Sequence, residues 1–175
     1  MKYFLFLTLA LFALTLVNCS DPEPGALPVS ENQRKKIESA VINRFHAMIK
    51  YAEAGELENI LMHFEPSGPG SYIDLGTRYT SLQDMMDSYR ATWRVQKQDY
   101  GVPDTKIYVL SSAYALVTSS SVLNTTNKDG ITFQPRPWSV STLWMLQDGQ
   151  WFIHSFHQFE GDAKPVEQEE EPAKK

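Results

Sequence analysis

Residues 140–157 read VSTLWMLQDGQWFIHSFH, and they carry the strongest fold signal in the chain. Asp148-Gly149 lies between two apolar runs and is a pair that two-residue hairpin turns favour. The predicted turn fixes the register, so that every second residue of each strand shares a face. The residues expected on one face are Val140, Thr142, Trp144, Leu146, Trp151, Ile153, Ser155 and His157. Trp144 and His157 are therefore predicted to point to the same side of the sheet.

The opposite face of this hairpin is also rich in apolar residues. Its predicted members are Ser141, Leu143, Met145, Phe152, His154 and Phe156. One layer of helices covers only one face of a sheet, so a second apolar face needs another cover. A symmetric partner subunit is such a cover, and we expect a homodimer through the outer sheet face. The alternative is that the N-terminal spacer or the C-terminal tail folds over this face.

The rest of the pattern predicts helices first and strands afterwards. Apolar residues at helical spacing predict a long helix capped by Ser30, a short helix around Leu57 and a third helix from Ser81. A short extended piece at 72–75 precedes the third helix. Runs rich in β-branched and aromatic residues then predict an antiparallel meander, with strands at 107–110, 114–123, 131–146 and 151–159. This order is typical of an α+β domain, which we place at residues 30–161.

The N-terminus predicts export and a lipid anchor. Residues 3–17 are apolar apart from two threonines, and the run is shorter than the roughly 20 residues that span a bilayer. The segment ending at Cys19 resembles a bacterial lipoprotein signal, which implies cleavage before Cys19 and acylation of its thiol, for example with palmitate. We therefore expect a signal peptide at 1–18, a spacer at 19–29 and attachment to the cell envelope, at the outer membrane if there is one. The alternative is an ordinary signal peptide in which the cysteine is incidental.

Composition argues against several other functions. The chain has a net charge of −5, so it is a poor candidate for binding nucleic acid, which needs concentrated Lys and Arg. His154 and His157 are three apart in a strand and are expected on opposite faces, so we predict no metal site. No glycine-rich phosphate loop occurs, and we expect no cofactor. The polar residues 162–175 are predicted to form a disordered charged tail.

Three segments together resemble the nuclear transport factor 2-like superfamily, and in particular its SnoaL-like bacterial branch. They are Ala54-Gly55-Glu56-Leu57, Ile73-Asp74-Leu75-Gly76, and the run from Thr142 through Asp148-Gly149 to His157. The resemblance implies a cone in which a strongly curved antiparallel sheet wraps around the first helix and leaves a cavity. It also implies frequent dimerisation through the outer face of the sheet. The superfamily includes ketosteroid isomerase, limonene epoxide hydrolase, scytalone dehydratase and polyketide cyclases, beside many binding domains without enzymatic activity.

Two residues are candidates for chemistry in such a cavity. His157 matches a position that often faces the cavity, and a histidine there can serve as general acid or base if a carboxylate orients it. Asp74 is the expected carboxylate. The alternatives are a structural, hydrogen-bonded histidine and an aspartate that stabilises the turn before Gly76. The family's catalytic sets cannot be matched here residue by residue.

The sequence therefore predicts a lipid-anchored binding or accessory domain that takes a small apolar molecule, or a partner protein, in its cavity. The residues expected to bind the ligand are Tyr72, Trp93, Thr142, Trp144 and His157. Core packing is the alternative role for the aromatic side chains. The alternative function is an enzyme of the isomerase, dehydratase or hydrolase type that uses His157 as general acid or base.

Overall fold

A computed structural model of the chain describes residues 29–66 and 70–166. The predicted signal peptide, Cys19 and nearly all of the predicted spacer lie outside these residues, as does the end of the predicted tail. None of the described helices combines the length and the apolar character needed to cross a membrane.

The helices follow the sequence pattern closely. They are α1 (Glu31–Glu53), α2 (Leu57–Leu61) and α3 (Leu82–Thr92). The Ser30 side chain accepts a hydrogen bond from the backbone N–H of Gln33, and the Ser81 side chain accepts one from Asp84. Both serines thus cap the backbone donors that a helix N-terminus leaves without partners, and both predicted helix starts are confirmed.

Seven strands form one curled, mixed sheet. They are β1 (Ser71–Asp74), β2 (Thr77–Tyr79), β3 (Val95–Asp99), β4 (Asp104–Val109), β5 (Tyr114–Asn127), β6 (Arg136–Gln147) and β7 (Gln150–Glu160). The strand order is β2-β1-β7-β6-β5-β3, and β4 also pairs with β5. The predicted α+β class and the antiparallel β5-β6-β7 meander are confirmed. The sheet is mixed because β1 runs parallel to β7, which the sequence did not indicate.

An irregularity in the last hairpin changes its predicted faces. The register holds from the turn as far as Trp144, which lies opposite Ile153, but Leu143 lies opposite Ser155. His154 is thus an extra residue that shifts all later pairs by one position, as a β-bulge does. Thr142 consequently lies opposite Phe156, not Ser155, and Val140 lies opposite Gln158, not His157.

The bulge separates Trp144 from His157, so the prediction that they share a face is wrong. Trp144 is fully buried on the inner face, whereas His157 is exposed on the outer face. Phe156, predicted on the outer face, is buried on the inner face. Because the side-chain period of a strand is two, one inserted residue exchanges the faces of everything beyond it.

Helix α1 fills the hollow of the curled sheet. Its buried residues recur at helical spacing and are Ile37, Val41, Phe45, Met48, Ile49 and Ala52. They join one hydrophobic core with the inner-facing residues of β5, β6 and β7. Complete burial of a side chain of this kind stabilises a fold by about 1.5–3 kcal/mol, so this helix and the sheet depend on each other.

The first residues of the predicted tail lie along the loop that precedes β6. The backbone N–H of Gln134 donates to the carbonyl oxygen of Lys164, and that of Val166 donates to Thr132. A bridge joins Phe133 and Pro165 between them. Residues 162–166 therefore extend the paired structure beyond the predicted boundary at residue 161.

Candidate functional site

A cavity of about 390 Å³ lies between the inner face of the sheet, α1 and α3. Its volume is within the range of roughly 300–1,000 Å³ that small-molecule sites occupy. Most of its wall is apolar and comes from residues such as Met48, Ile49, Ala52, Ile60, Phe64, Phe133 and Phe156. The curl of the sheet positions these side chains, because inner-facing residues of a curved sheet converge on its axis.

Asp74 brings a carboxyl group into this apolar space. It is the last residue of β1, and the chain turns directly after it through Leu75 and Gly76, both with positive φ. Its Oδ1 atom is buried and has no hydrogen-bond partner among the described residues. Burial raises the pKa of Asp74 to about 6, and the negative charge of Glu160 adds to this, while a hydrogen bond with Tyr89 opposes it.

Tyr89 of α3 and Trp93, the residue directly after this helix, are two aromatic residues of the cavity wall. The centroids of their rings are 6.1 Å apart. Burial raises the pKa of the Tyr89 hydroxyl, as does the charge of Asp74. The Trp93 Nε1–H donates to the carbonyl oxygen of Gly55 at 3.1 Å, which fixes the ring at the cavity wall.

A buried ion pair forms the other polar part of the cavity. Arg136 Nη2 lies 2.7 Å from Glu160 Oε2, and the two side chains are 8% and 12% exposed. Arg136 also donates to Thr125 Oγ1 at 3.0 Å, and Gln158 donates to the second carboxylate oxygen of Glu160 at 3.2 Å. The guanidinium and the carboxylate thus neutralise each other where water is largely excluded.

Two buried donors at the cavity have no partner among the described residues. They are Arg136 Nη1 and the indole Nε1 of Trp138. The Tyr100 hydroxyl, by contrast, donates to Gln98 at 2.8 Å, and burial raises its pKa. A buried polar atom without a partner costs about 1–3 kcal/mol, so a polar ligand group that reached either donor would offset this cost.

Three of the predicted ligand-binding residues lie in the core. Tyr72, Thr142 and Trp144 are all fully buried and do not line the cavity. The Trp144 Nε1–H donates to Thr142 Oγ1 at 2.8 Å, which satisfies the indole inside the core. Of the predicted ligand-binding residues, Trp93 lies in the cavity wall, and the candidate Asp74 lies there too.

His157 is not in the cavity either. It lies on the outer face, where its Nε2 atom is 3.3 Å from Ser71 Oγ. His154 has a different partner, since its Nδ1 atom is 2.7 Å from the buried carboxylate of Glu65. The expectation that His157 and Asp74 act together in one cavity is therefore wrong. Residues 29–66 and 70–166 hold no group of three or more side chains that could bind a metal ion.

The sequence did not lead us to predict Arg136 and Glu160 as site residues. The alternation along β6 does indicate Arg136, because this charged residue occupies an inward position like those of Trp138 and Val140. A charged residue at an inward position is either paired or functional. Glu160, which follows the bulge, could not be placed without the corrected register.

The comparisons with known proteins identify the fold. No family model matches the chain, and the curated proteins include no match. Among solved structures, an NTF-2-like protein of unknown function from Shewanella oneidensis is 12% identical, with 70% of this chain and 98% of that chain covered and a TM-score of 0.57. The chain has the nuclear transport factor 2-like fold.

Two further structures with this fold are similar to the chain. A ketosteroid isomerase-like protein from Erwinia carotovora is 13% identical, covers 70% of this chain and 94% of its own, and has a TM-score of 0.58. The association domain of CaMKII from C. elegans is 10% identical, covers 74% of this chain and 99% of its own, and has a TM-score of 0.57. The nuclear transport factor 2-like cone implied by the sequence resemblance is thus confirmed, and it hosts proteins of different kinds.

Proposed function

We propose that this domain binds a small, mainly apolar molecule that carries a polar group. The observation that supports this most is the cavity itself, with apolar walls around a small number of polar atoms that lack partners. This combination is the usual composition of a ligand site, because apolar walls supply affinity and a few polar atoms fix the orientation. A close-packed core leaves few voids larger than a water molecule, so the volume of this cavity supports an occupant.

The binding proposal predicts that filling the cavity removes a bound probe. We expect 1-aminoanthracene, a neutral aromatic molecule whose fluorescence rises in apolar surroundings, to bind the full chain with one site. Ala52 lines the cavity on α1, so Ala52→Phe should weaken binding by about tenfold or more through lost volume. The matched change Ala91→Phe, at an exposed position of α3 outside the cavity, should leave binding unchanged. Equal affinities for both variants would contradict the proposal.

A second candidate is an enzyme that transfers a proton, with Asp74 as the general base. It is favoured by the pKa of about 6, because a catalytic base works best when its pKa is near the working pH. A ketosteroid isomerase-like protein from Erwinia carotovora has the same fold. In this candidate Asp74 takes the catalytic role that the sequence suggested for His157, which faces away from the cavity.

We also propose that Cys19 anchors the protein to the cell envelope. The support is the apolar run at 3–17 and the position of the chain's one cysteine two residues after it. We expect Cys19→Ala to move the protein from the membrane fraction to the soluble fraction and to abolish labelling by a palmitate analogue. Full retention of the variant in membranes would contradict lipidation.

A homodimer through the outer sheet face is a further proposal. Val122 and Phe159 lie on this face and are 56% and 59% exposed, at one end of a strip of serines and threonines. Another protein with this fold is the association domain of CaMKII from C. elegans. We expect the full chain to sediment as a dimer, and Val122→Glu to yield a monomer. Met62→Glu, at an exposed position directly after α2, is the control.

A further inference from the structure

One of the two carboxylates that line the cavity has no ion-pair partner among the described residues. Four charged residues line the cavity, namely Asp74, Arg94, Arg136 and Glu160. Arg136 and Glu160 neutralise each other at 2.7 Å. Arg94 is exposed at the rim, donates to the carbonyl oxygen of Trp93 at 3.4 Å, and forms no ion pair with Asp74. Within the described part of the chain, Asp74 is therefore a cavity carboxylate without a counter-charge.

Aromatic rings surround the space beside this carboxylate. Tyr89 contacts Asp74, and the ring of Trp93 follows at 6.1 Å from that of Tyr89. Tyr100 and Trp138 form a second pair on the sheet side, with their centroids 4.6 Å apart. The faces of aromatic rings carry partial negative charge and attract cations, most strongly where water is excluded.

We infer that the bound molecule is an organic cation, namely an amine whose ammonium group lies against Asp74 and whose apolar body fills the space beside Tyr89 and Trp93. The inference rests on the proposed binding function and adds the charge and the chemical class of the ligand. An ammonium group supplies both the counter-charge that Asp74 lacks and a cation for the ring faces.

Anionic and neutral ligands fit this cavity less well. An anion would add a third negative group near Asp74 and Glu160. Of the two guanidinium groups in the wall, that of Arg136 is paired with Glu160, and that of Arg94 is exposed at the rim, where water screens its charge. A neutral ligand can donate a hydrogen bond to Asp74 but leaves its charge without compensation. The pKa of Asp74, raised by burial and by Glu160, agrees with a carboxylate in a site that lacks a cation.

Three probes with the same indole body separate these possibilities. They are tryptamine, indole-3-propionamide and indole-3-propionate, which are cationic, neutral and anionic at pH 7.5. Titration calorimetry with the full chain should show that tryptamine binds about tenfold or more tightly than the other two. Asp74→Asn should remove this preference for tryptamine. Asp104 is an exposed residue of β4 outside the cavity, so the control variant Asp104→Asn should retain the preference.

The outcomes distinguish this inference from the binding proposal. If the propionamide binds as tightly as tryptamine, or if Asp74→Asn leaves the preference for tryptamine intact, the cation inference is wrong and the binding proposal stands. Tighter binding of the propionate would also overturn it. If none of the three binds, the inference is wrong, and the 1-aminoanthracene titration decides separately whether the cavity binds a ligand.

Discussion

Replacing Glu160 by Gln is expected to lower the free energy of unfolding by about 3 kcal/mol, because it leaves a buried guanidinium without its counter-charge. Arg136 is only 8% exposed, and its remaining partner, the Thr125 hydroxyl, carries no charge. Glutamine keeps the shape of the side chain and part of its hydrogen bonding, so the lost free energy of unfolding comes chiefly from the missing charge. Urea unfolding at pH 7 measures this as a lower midpoint with an unchanged slope.

A double variant and a surface pair provide the controls. Removing both charges with Arg136→Met and Glu160→Gln should restore most of the lost stability, because a buried pair contributes little beyond an apolar replacement of similar volume. Glu58→Gln breaks the exposed pair with Arg90 at 2.8 Å and should have no measurable effect. Two outcomes would show that water screens the charges of Arg136 and Glu160. One is a double variant as unstable as Glu160→Gln alone, and the other is an equal loss of stability in Glu160→Gln and Glu58→Gln.

The parts of this fold that depend on neighbouring residues could be predicted from the sequence. Ser30 and Ser81 cap helices through hydrogen bonds that span three residues, so their signal is local. The Asp148-Gly149 turn also fixes the first pairs of the hairpin as expected. Patterning likewise placed most of the strands after the helices and indicated the α+β class.

The register beyond the bulge could not be predicted, because distant segments determine it. Phe64 pairs with Ile153, and β1 pairs with residues 155–158, so the edge of β7 changes partners close to His154. The Ser155 hydroxyl also donates to the carbonyl oxygen of Ser71 at 3.0 Å. These contacts link positions more than 80 residues apart in sequence, and no periodicity in 140–157 reports them.

The incorrect placement of His157 in the cavity follows directly from the extra residue His154 in the bulge. An uninterrupted strand would have placed His157 on the same face as Trp144, and the predicted acid–base pair with Asp74 depended on that placement. The bulge instead brings Gln158 and Glu160 to the inner face, where both line the cavity. Asp74 keeps its predicted place in the cavity because it lies on β1, which the bulge does not shift.

Replacing Asp74 by Asn is expected to raise the free energy of unfolding by about 3 kcal/mol at pH 7, although the residue lies in the candidate site. The pKa of Asp74 is raised from 3.8 to about 6, chiefly by burial, so ionisation at neutral pH opposes folding. Asparagine carries no charge and keeps an oxygen that accepts from Tyr89. Urea unfolding measures the gain, and Asp104→Asn on the exposed edge should give none.

The pH dependence of this gain tests its cause. A carboxyl whose pKa is raised in the folded state stabilises that state below about pH 4, and this contribution is lost as the pH rises to about 6. The stability difference between Asp74→Asn and the original chain should therefore be near zero at pH 3.5, grow between pH 4 and 6, and stay constant above. His63 titrates with the opposite sign, because burial lowers its pKa to about 4, but it is present in both proteins and cancels. A gain in stability that does not depend on pH would mean that asparagine stabilises the fold by packing. The expected pH profile would instead show that the ionised carboxylate of Asp74 destabilises the fold. Binding sites often contain such groups, because function can oppose stability.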